Sequence, residues 1–133
     1  MTNEICLAIH SSADIVQARQ RGRALAVKLG FEGGDVTMIA AAISEVARNI
    51  FDYAKSGEIV LEPVQQVGKH GLRIIARDQG PGIPDILQAM QYGYSTGKGL
   101  GIGLPGAKWL VDEFDIQSRS GKGTTVTMTK WLR

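Results

Sequence analysis

Apolar positions change period several times along the chain, and each change marks a predicted element. Glu4 to His10 alternates, with Ile5, Leu7 and Ile9 on one side, which predicts a short half-buried strand. Ser11 or Ser12 then offers a helix N-cap, with Asp14 in the first turn. Ile15, Ala18, Gly22, Leu25, Ala26 and Leu29 recur at helical spacing until Gly30 supplies a stop. Gly33-Gly34-Asp35 breaks the chain and provides the next N-cap. From Val36 to Ala54, Val36, Ile39, Ile43, Val46, Ala47, Ile50 and Phe51 form one stripe at about 100° per residue. Glu45 and Asn49, an i, i+4 pair, share the face opposite the centre of that stripe. Periodicity alone reads this face as solvated. A cleft filled by water or ligand produces the same pattern.

The second half shortens its period. Glu58 to Val67 is β-rich, with Pro63 requiring an edge position or a bulge. Gly68-Lys69-His70-Gly71 predicts a turn. In the following strand, Leu72, Ile74 and Ala76 alternate with Arg73, Ile75 and Arg77 and deliver Asp78 at its C-terminal end, where sheet proteins commonly place ligand groups. Pro84 to Met90 suggests a short helix and Gly93 to Gly99 a loop. Leu104 to Val111 reads as a helix with Pro105 in its tolerated first turn. Phe114 to Ile116 and Thr124 to Trp131 read as strands joined by a hairpin at Ser120-Gly121-Lys122-Gly123. The order predicts a two-layer α/β (α+β) sandwich, with helices grouped against one face of a mixed sheet. Its 133 residues are expected to make one domain.

Composition narrows the function classes. Hydrophobic residues make up 44% and charged residues 21%, as in a globular chain. A net charge of +2, with lysines and arginines scattered, argues against nucleic acid and anionic membranes as partners. No run approaches 18 apolar residues, and no signal peptide is expected. One cysteine, Cys6, permits no intrachain disulfide and points to the cytoplasm. His10 and His70 flank strands as surface residues, and no zinc-ligand spacing exists. Trp109 and Trp131 are expected to serve in packing, and Arg48 and Asp52 as solvated charges.

The chemistry concentrates elsewhere. Eight of the 17 glycines lie between Gly80 and Gly106. Glycine is entropically costly in ordered structure, so this density requires close backbone approach or positive φ, and a phosphate cradle needs both. Leu100, Ile102 and Leu104 interleave with the glycines, unlike a solvated linker. A P-loop fails, because only three residues separate Gly93 from Gly97-Lys98 and a glycine follows the lysine. Gly101 to Gly106 matches G-x-G-x-x-G, but no strand precedes it, so the match is coincidental. H-R-D and D-F-G sequences are absent. What remains is Glu45-x-x-x-Asn49, Asp78-x-Gly80-x-Gly82, Gly99-x-Gly101-x-Gly103 and Gly123-Thr124-Thr125, in that order.

These four boxes resemble the GHKL superfamily of ATP-binding (Bergerat-fold) domains, which includes gyrase, certain chaperones and histidine kinases. Ala42 to Ile50, Asp78 to Ile86, Gly99 to Gly106 and Thr129 to Arg133 are similar to the RsbT-type serine/threonine kinases of bacterial stressosome partner switching. Likeness runs from near the first residue to the last, with most divergence in Met1 to Ala13 and Gly57 to His70.

The resemblance implies a set of roles. Asp78 would accept the adenine amino group, with Gly80, Gly82 and Ile83 beneath the base. Asn49 would give a neutral oxygen to Mg²⁺, which takes few protein ligands beside phosphate. Glu45 would act as general base or orient the attacking hydroxyl. Gly99, Leu100, Gly101, Ile102, Gly103 and Leu104 would bring backbone N–H groups and a helix N-terminus to the phosphates. Lys98 would neutralise charge, and Thr124 or Thr125 would support Asp78. The implied substrates are ATP and STAS-domain proteins, and the implied output partner is a PP2C-type phosphatase. An anti-sigma factor kinase is a rival, although Val46-Ala47-Arg48 stands where that branch would carry Ala-Val-Thr. A silent, ATP-gated docking module is another, opposed by the presence of both Glu45 and Asn49. A stand-alone ATPase lacks support, since nothing resembles a transducer domain.

Overall fold

The computed structural model describes residues 4–81, 103–119 and 121–132. Their elements run β1 (Ile5–Ile9), α1 (Ser12–Leu29), α2 (Gly34–Ala54), β2 (Gly57–Gln66), β3 (Lys69–Asp78), α3 (Gly103–Leu110), β4 (Glu113–Arg119) and β5 (Gly123–Trp131). The five strands form one sheet in the order β1-β2-β3-β5-β4. Three described helices cover one face, giving the expected two-layer α+β sandwich. The predicted helix from Pro84 to Met90 lies outside the described residues.

The sheet is antiparallel at every ladder, not mixed. Two features produce this. An α-hairpin between β1 and β2 reverses the chain an odd number of times, so β2 returns against β1. Strands β3 and β4 run the same way, but β5 is inserted between them and converts both contacts to antiparallel. Pro63 lies beyond the β1 ladder, which ends at Ile5↔Leu61, so β2 is locally an edge and no hydrogen bond misses the proline N–H. The β2–β3 turn is Val67-Gly68, tighter than the expected Gly68 to Gly71, with Gly68 at φ +74°.

Alternation places Ile59, Leu61, Leu72, Ile74, Ala76, Val126 and Met128 on the helix-covered face, all buried. On the outer face, register pairs Glu58 with Arg77 and Glu62 with Arg73, and both form ion pairs, at 2.6 and 3.4 Å. Trp131 packs over Gly71, where a Cβ would strike its ring, and its indole N–H donates to Glu113 at 2.7 Å. Trp109 does not pack as expected: it is 76% exposed on α3, because Leu104 and Ala107 supply the buried side of that short helix.

Ser11 is the N-cap of α1, in a capping box with Asp14. The His10 backbone N–H holds the Asp14 carboxyl below the usual carboxylate range against an opposing desolvation, with lesser help from the Ser11 side chain and backbone N–H. Helix α2 starts at Gly33 without a side-chain cap and puts Asp35 in its first turn. It buries the predicted stripe except Phe51, which is half-buried, and also Ala40 and Ala42, because α1 and α3 flank it on either side. Lys130, 4% exposed, donates from Nζ to the Leu110 carbonyl at 3.0 Å and approaches Asp35 at 3.8 Å. This ties the C-terminal end of α3 to the start of α2.

Helix α1 approaches α2 closely at Gly22, where a Cβ would overlap Cδ1 of the fully buried Ile43. Overpacking costs about 1–3 kcal/mol, against about 1 kcal/mol gained by alanine's helix propensity. Gly22→Ala should therefore lower the unfolding free energy by a net of about 1 kcal/mol, read as a lower urea midpoint with unchanged m. Gly34→Ala, which meets open space, should raise the midpoint instead.

Candidate functional site

Two clusters of polar groups lie on the helix-covered side, joined by α2. The first surrounds Asp78. In β3 the buried row Leu72, Ile74, Ala76 continues to Asp78, so its half-buried carboxylate sits at the end of the core row. Its neighbours across the sheet are Gly57 on β2 and Thr124 on β5. Three glycines frame this end. A Cβ at Gly57 would strike the Arg77 carbonyl, one at Gly80 would strike Ala54, and one at Gly123 would strike the Asp78 carbonyl. Gly123 also holds φ +87°, a left-handed conformation. The Gly80 N–H donates to Asp78 Oδ1 at 2.9 Å, closing a local turn that fixes the carboxylate.

Thr124 shares the face of Asp78. It is 5% exposed and its hydroxyl lies 2.9 Å from that of Ser118, directly opposite on β4. Alternation puts Thr125 on the other face, beside Arg77 and Gln117. Of the two threonines, only Thr124 joins the cluster. Ser118 escaped the sequence reading, because its link to Thr124 depends on the β4–β5 register.

The second cluster centres on Glu45. Its side chain is 11% exposed, so this flank of α2 is not the solvated surface that periodicity alone suggested. Helix α3 lies over it. The Gly103 N–H, at the first residue of α3, donates to Glu45 Oε1 at 2.8 Å. Arg48 Nη1 donates to Oε2 at 3.2 Å. The two oxygens thus have different partners. Arg48 is an ion-pair partner and not the solvated charge expected. Asn49 lies one turn beyond Glu45, half-buried. Gly103 holds φ +70°, and Leu104 is buried at 4% exposure behind it. Glu45 and Ala54, which touches the Asp78 turn, are nine residues apart on α2. That is about 14 Å along the axis, the scale of an extended nucleoside triphosphate.

Of the other residues the sequence singled out, Gly82, Ile83, Lys98, Gly99, Leu100, Gly101 and Ile102 lie outside the described residues. Among the described residues no group of three His, Cys, Asp or Glu side chains could hold a metal by itself. No described helix is long and apolar enough to cross a membrane. A shallow hollow bounded by Arg73, Glu113 and Thr129 opens on the outer face of the sheet, away from both clusters.

An α+β sandwich with an acidic strand end, an acidic and amide pair on the neighbouring helix and a glycine-led helix N-terminus defines a class of nucleotide-binding proteins. The profile of the histidine kinase-, DNA gyrase B- and HSP90-like ATPases (HATPase_c) matches residues 34–133. Serine/threonine-protein kinase RsbT of Bacillus subtilis (strain 168) is 53% identical over 133 residues, covering 100% of both chains. The anti-sigma F factor of Thermoanaerobacter sp. (strain X514) is 29% identical over 102 residues, 74% of this chain and 71% of its own length. That of Bacillus licheniformis is 31% identical over 103 residues, 74% and 70%. The chain belongs to the histidine kinase-, DNA gyrase B- and HSP90-like ATPase family, in its RsbT-type branch.

The contact between Gly123 and Asp78 can be isolated by comparing two left-handed glycines. Gly121, at φ +78°, meets open space, so Gly121→Ala should cost only the left-handed strain of about 1–2 kcal/mol. Gly123→Ala adds the backbone collision and should cost at least about 1 kcal/mol more, read from thermal unfolding of the two variants.

Proposed function

We propose that this chain is a cytoplasmic Mg-ATP-dependent serine/threonine protein kinase of the RsbT type, with its whole site in one domain of residues 1–133. Its substrates would be STAS-domain proteins of a stressosome, and its output partner, once it is released, a PP2C-type phosphatase. The observation that carries this reading is the hydrogen bond from Gly103 to Glu45, which joins positions 58 apart in sequence. It turns the N-terminus of α3, which follows the glycine run, toward the helix that carries the Glu45 carboxylate and the Asn49 amide.

The contacts support one division of labour. Asp78 Oδ1 is occupied by Gly80, so Oδ2 is the oxygen for the exocyclic amine of adenine. Thr124 supports that end of the site from the same sheet face, and Gly82 and Ile83, which follow in sequence, would serve the base. The Gly103 N–H and the α3 dipole attract phosphate oxygens. Lys98 and the stretch Gly99 to Ile102 lead into that helix and would add further donors and a positive charge. Asn49 gives a neutral, half-buried oxygen suited to Mg²⁺, which when bound neutralises phosphate charge and keeps most of its ligands as water and phosphate. Glu45 accepts the proton of the attacking serine or threonine hydroxyl as the new O–P bond forms and the bond to the departing diphosphate breaks. Both members of the Glu45–Asn49 pair have work in transfer, which disfavours a docking module that uses ATP only for shape.

The test is transfer of label from γ-labelled ATP to a STAS-domain protein of the same genome. Glu45→Ala should slow transfer by about 10²–10⁴-fold with ATP binding retained. Asn49→Ala should remove the Mg²⁺-dependent part of ATP binding, and Asp78→Asn should weaken binding of ATP but not the fold. ATP binding without transfer by the unmodified protein would replace the kinase reading with the docking one.

A further inference from the structure

Arg48 stands in the interval between Glu45 and Asn49, and nothing in the proposed chemistry yet uses it. Its guanidinium reaches back one turn to Glu45 Oε2 at 3.2 Å, while Oε1 takes the Gly103 N–H at 2.8 Å. The carboxylate is 11% exposed and the Arg48 side chain 37%, so the pair sits at the mouth of the site with the acid inside. The two hydrogen bonds have different futures in a reaction. A phosphate oxygen arriving at the N-terminus of α3 competes for the Gly103 N–H, because both are anionic acceptors of the same donor. Oε1 is then released and can face the hydroxyl of a substrate. Oε2 keeps its partner, because Arg48 lies on the same helix and moves with Glu45.

Resting on the kinase reading above, we propose that Arg48 is a positioning residue: it holds Glu45 by Oε2 in one rotamer so that Oε1 is presented to the attacking hydroxyl once nucleotide has taken the Gly103 N–H. Without it, a carboxylate on two freely rotating carbons has nothing else among the described residues to fix it once Gly103 is lost. A misplacement of about 1 Å in such a group costs on the order of 10²-fold in rate. The ion pair is too exposed on the arginine side for its loss to unfold the protein. Arginine and lysine differ in the hydrogen bonds they offer but share the charge, so lysine should restore part of the function.

The experiment compares the unmodified protein with Arg48→Gln and Arg48→Lys in three readouts. Single-turnover transfer of label to the STAS-domain protein should fall about 10- to 100-fold in Arg48→Gln, while the Kd for ATP stays within about threefold and Arg48→Lys recovers much of the lost rate. Hydrogen exchange of the Gly103 amide without nucleotide should quicken about fivefold in Arg48→Gln, as expected for a weakened hydrogen bond, and stay near the unmodified rate in Arg48→Lys. A transfer rate in Arg48→Gln within threefold of the unmodified protein overturns the proposal. So does a loss of ATP affinity that matches the loss of rate, since Arg48 would then act on nucleotide and not on Glu45. Should the unmodified protein transfer no label, the kinase reading fails by itself. Gly103 exchange then decides whether Arg48 positions Glu45, and an unchanged rate in Arg48→Gln overturns it.

Discussion

Helix α2 lies against the sheet with Ile39, Ile43, Val46 and Ile50 fully buried, and its approach is set by positions that have no side chain. Gly22 admits Ile43 from the α1 side, and Gly57 admits Ile50 from the sheet side. Close packing of this kind leaves little freedom, since interiors are filled to the density of organic crystals. The helix is thereby fixed in rotation, and its rotation decides where Glu45, Arg48 and Asn49 project. A shift of α2 by one residue would turn Glu45 by about 100° away from α3.

The polar groups are arranged around that fixed helix from both ends of α3. At one end Glu45 accepts from the Gly103 N–H, and at the other Lys130 donates to the Leu110 carbonyl. An acid at a helix N-terminus and a cation at its C-terminus both oppose the helix dipole favourably. An eight-residue helix has marginal stability by itself, so these contacts and the burial of Leu104 and Ala107 hold it in place. The N-terminus of α3 thus presents a backbone donor to an anionic acceptor, Glu45.

Much of this was legible before any coordinates. The change from helical to alternating period located every described element within a few residues, because burial on one face is what those periods encode. Asp78 was marked by its place after a strand and beside glycines, Gly30 and Gly33 by the breaks they make, and Gly103 by its place in the glycine run before a helix. The reach of Arg48 to Glu45 is local, an i, i+3 pair, yet it passed unnoticed because the same spacing on most helices is only a solvated surface pair.

The sequence by itself determined which residues are apolar with which period, where the chain must turn, and where the glycines concentrate, since these depend on neighbours along the chain. Only the tertiary structure decided that β5 separates β3 from β4 and makes the sheet antiparallel, that Thr124 and not Thr125 stands beside Asp78, and that Glu45 is covered by α3. Each of these depends on which distant segment arrives next to which, through strand register or helix packing. Side-chain period states that a face is buried or exposed, but it does not say what buries it.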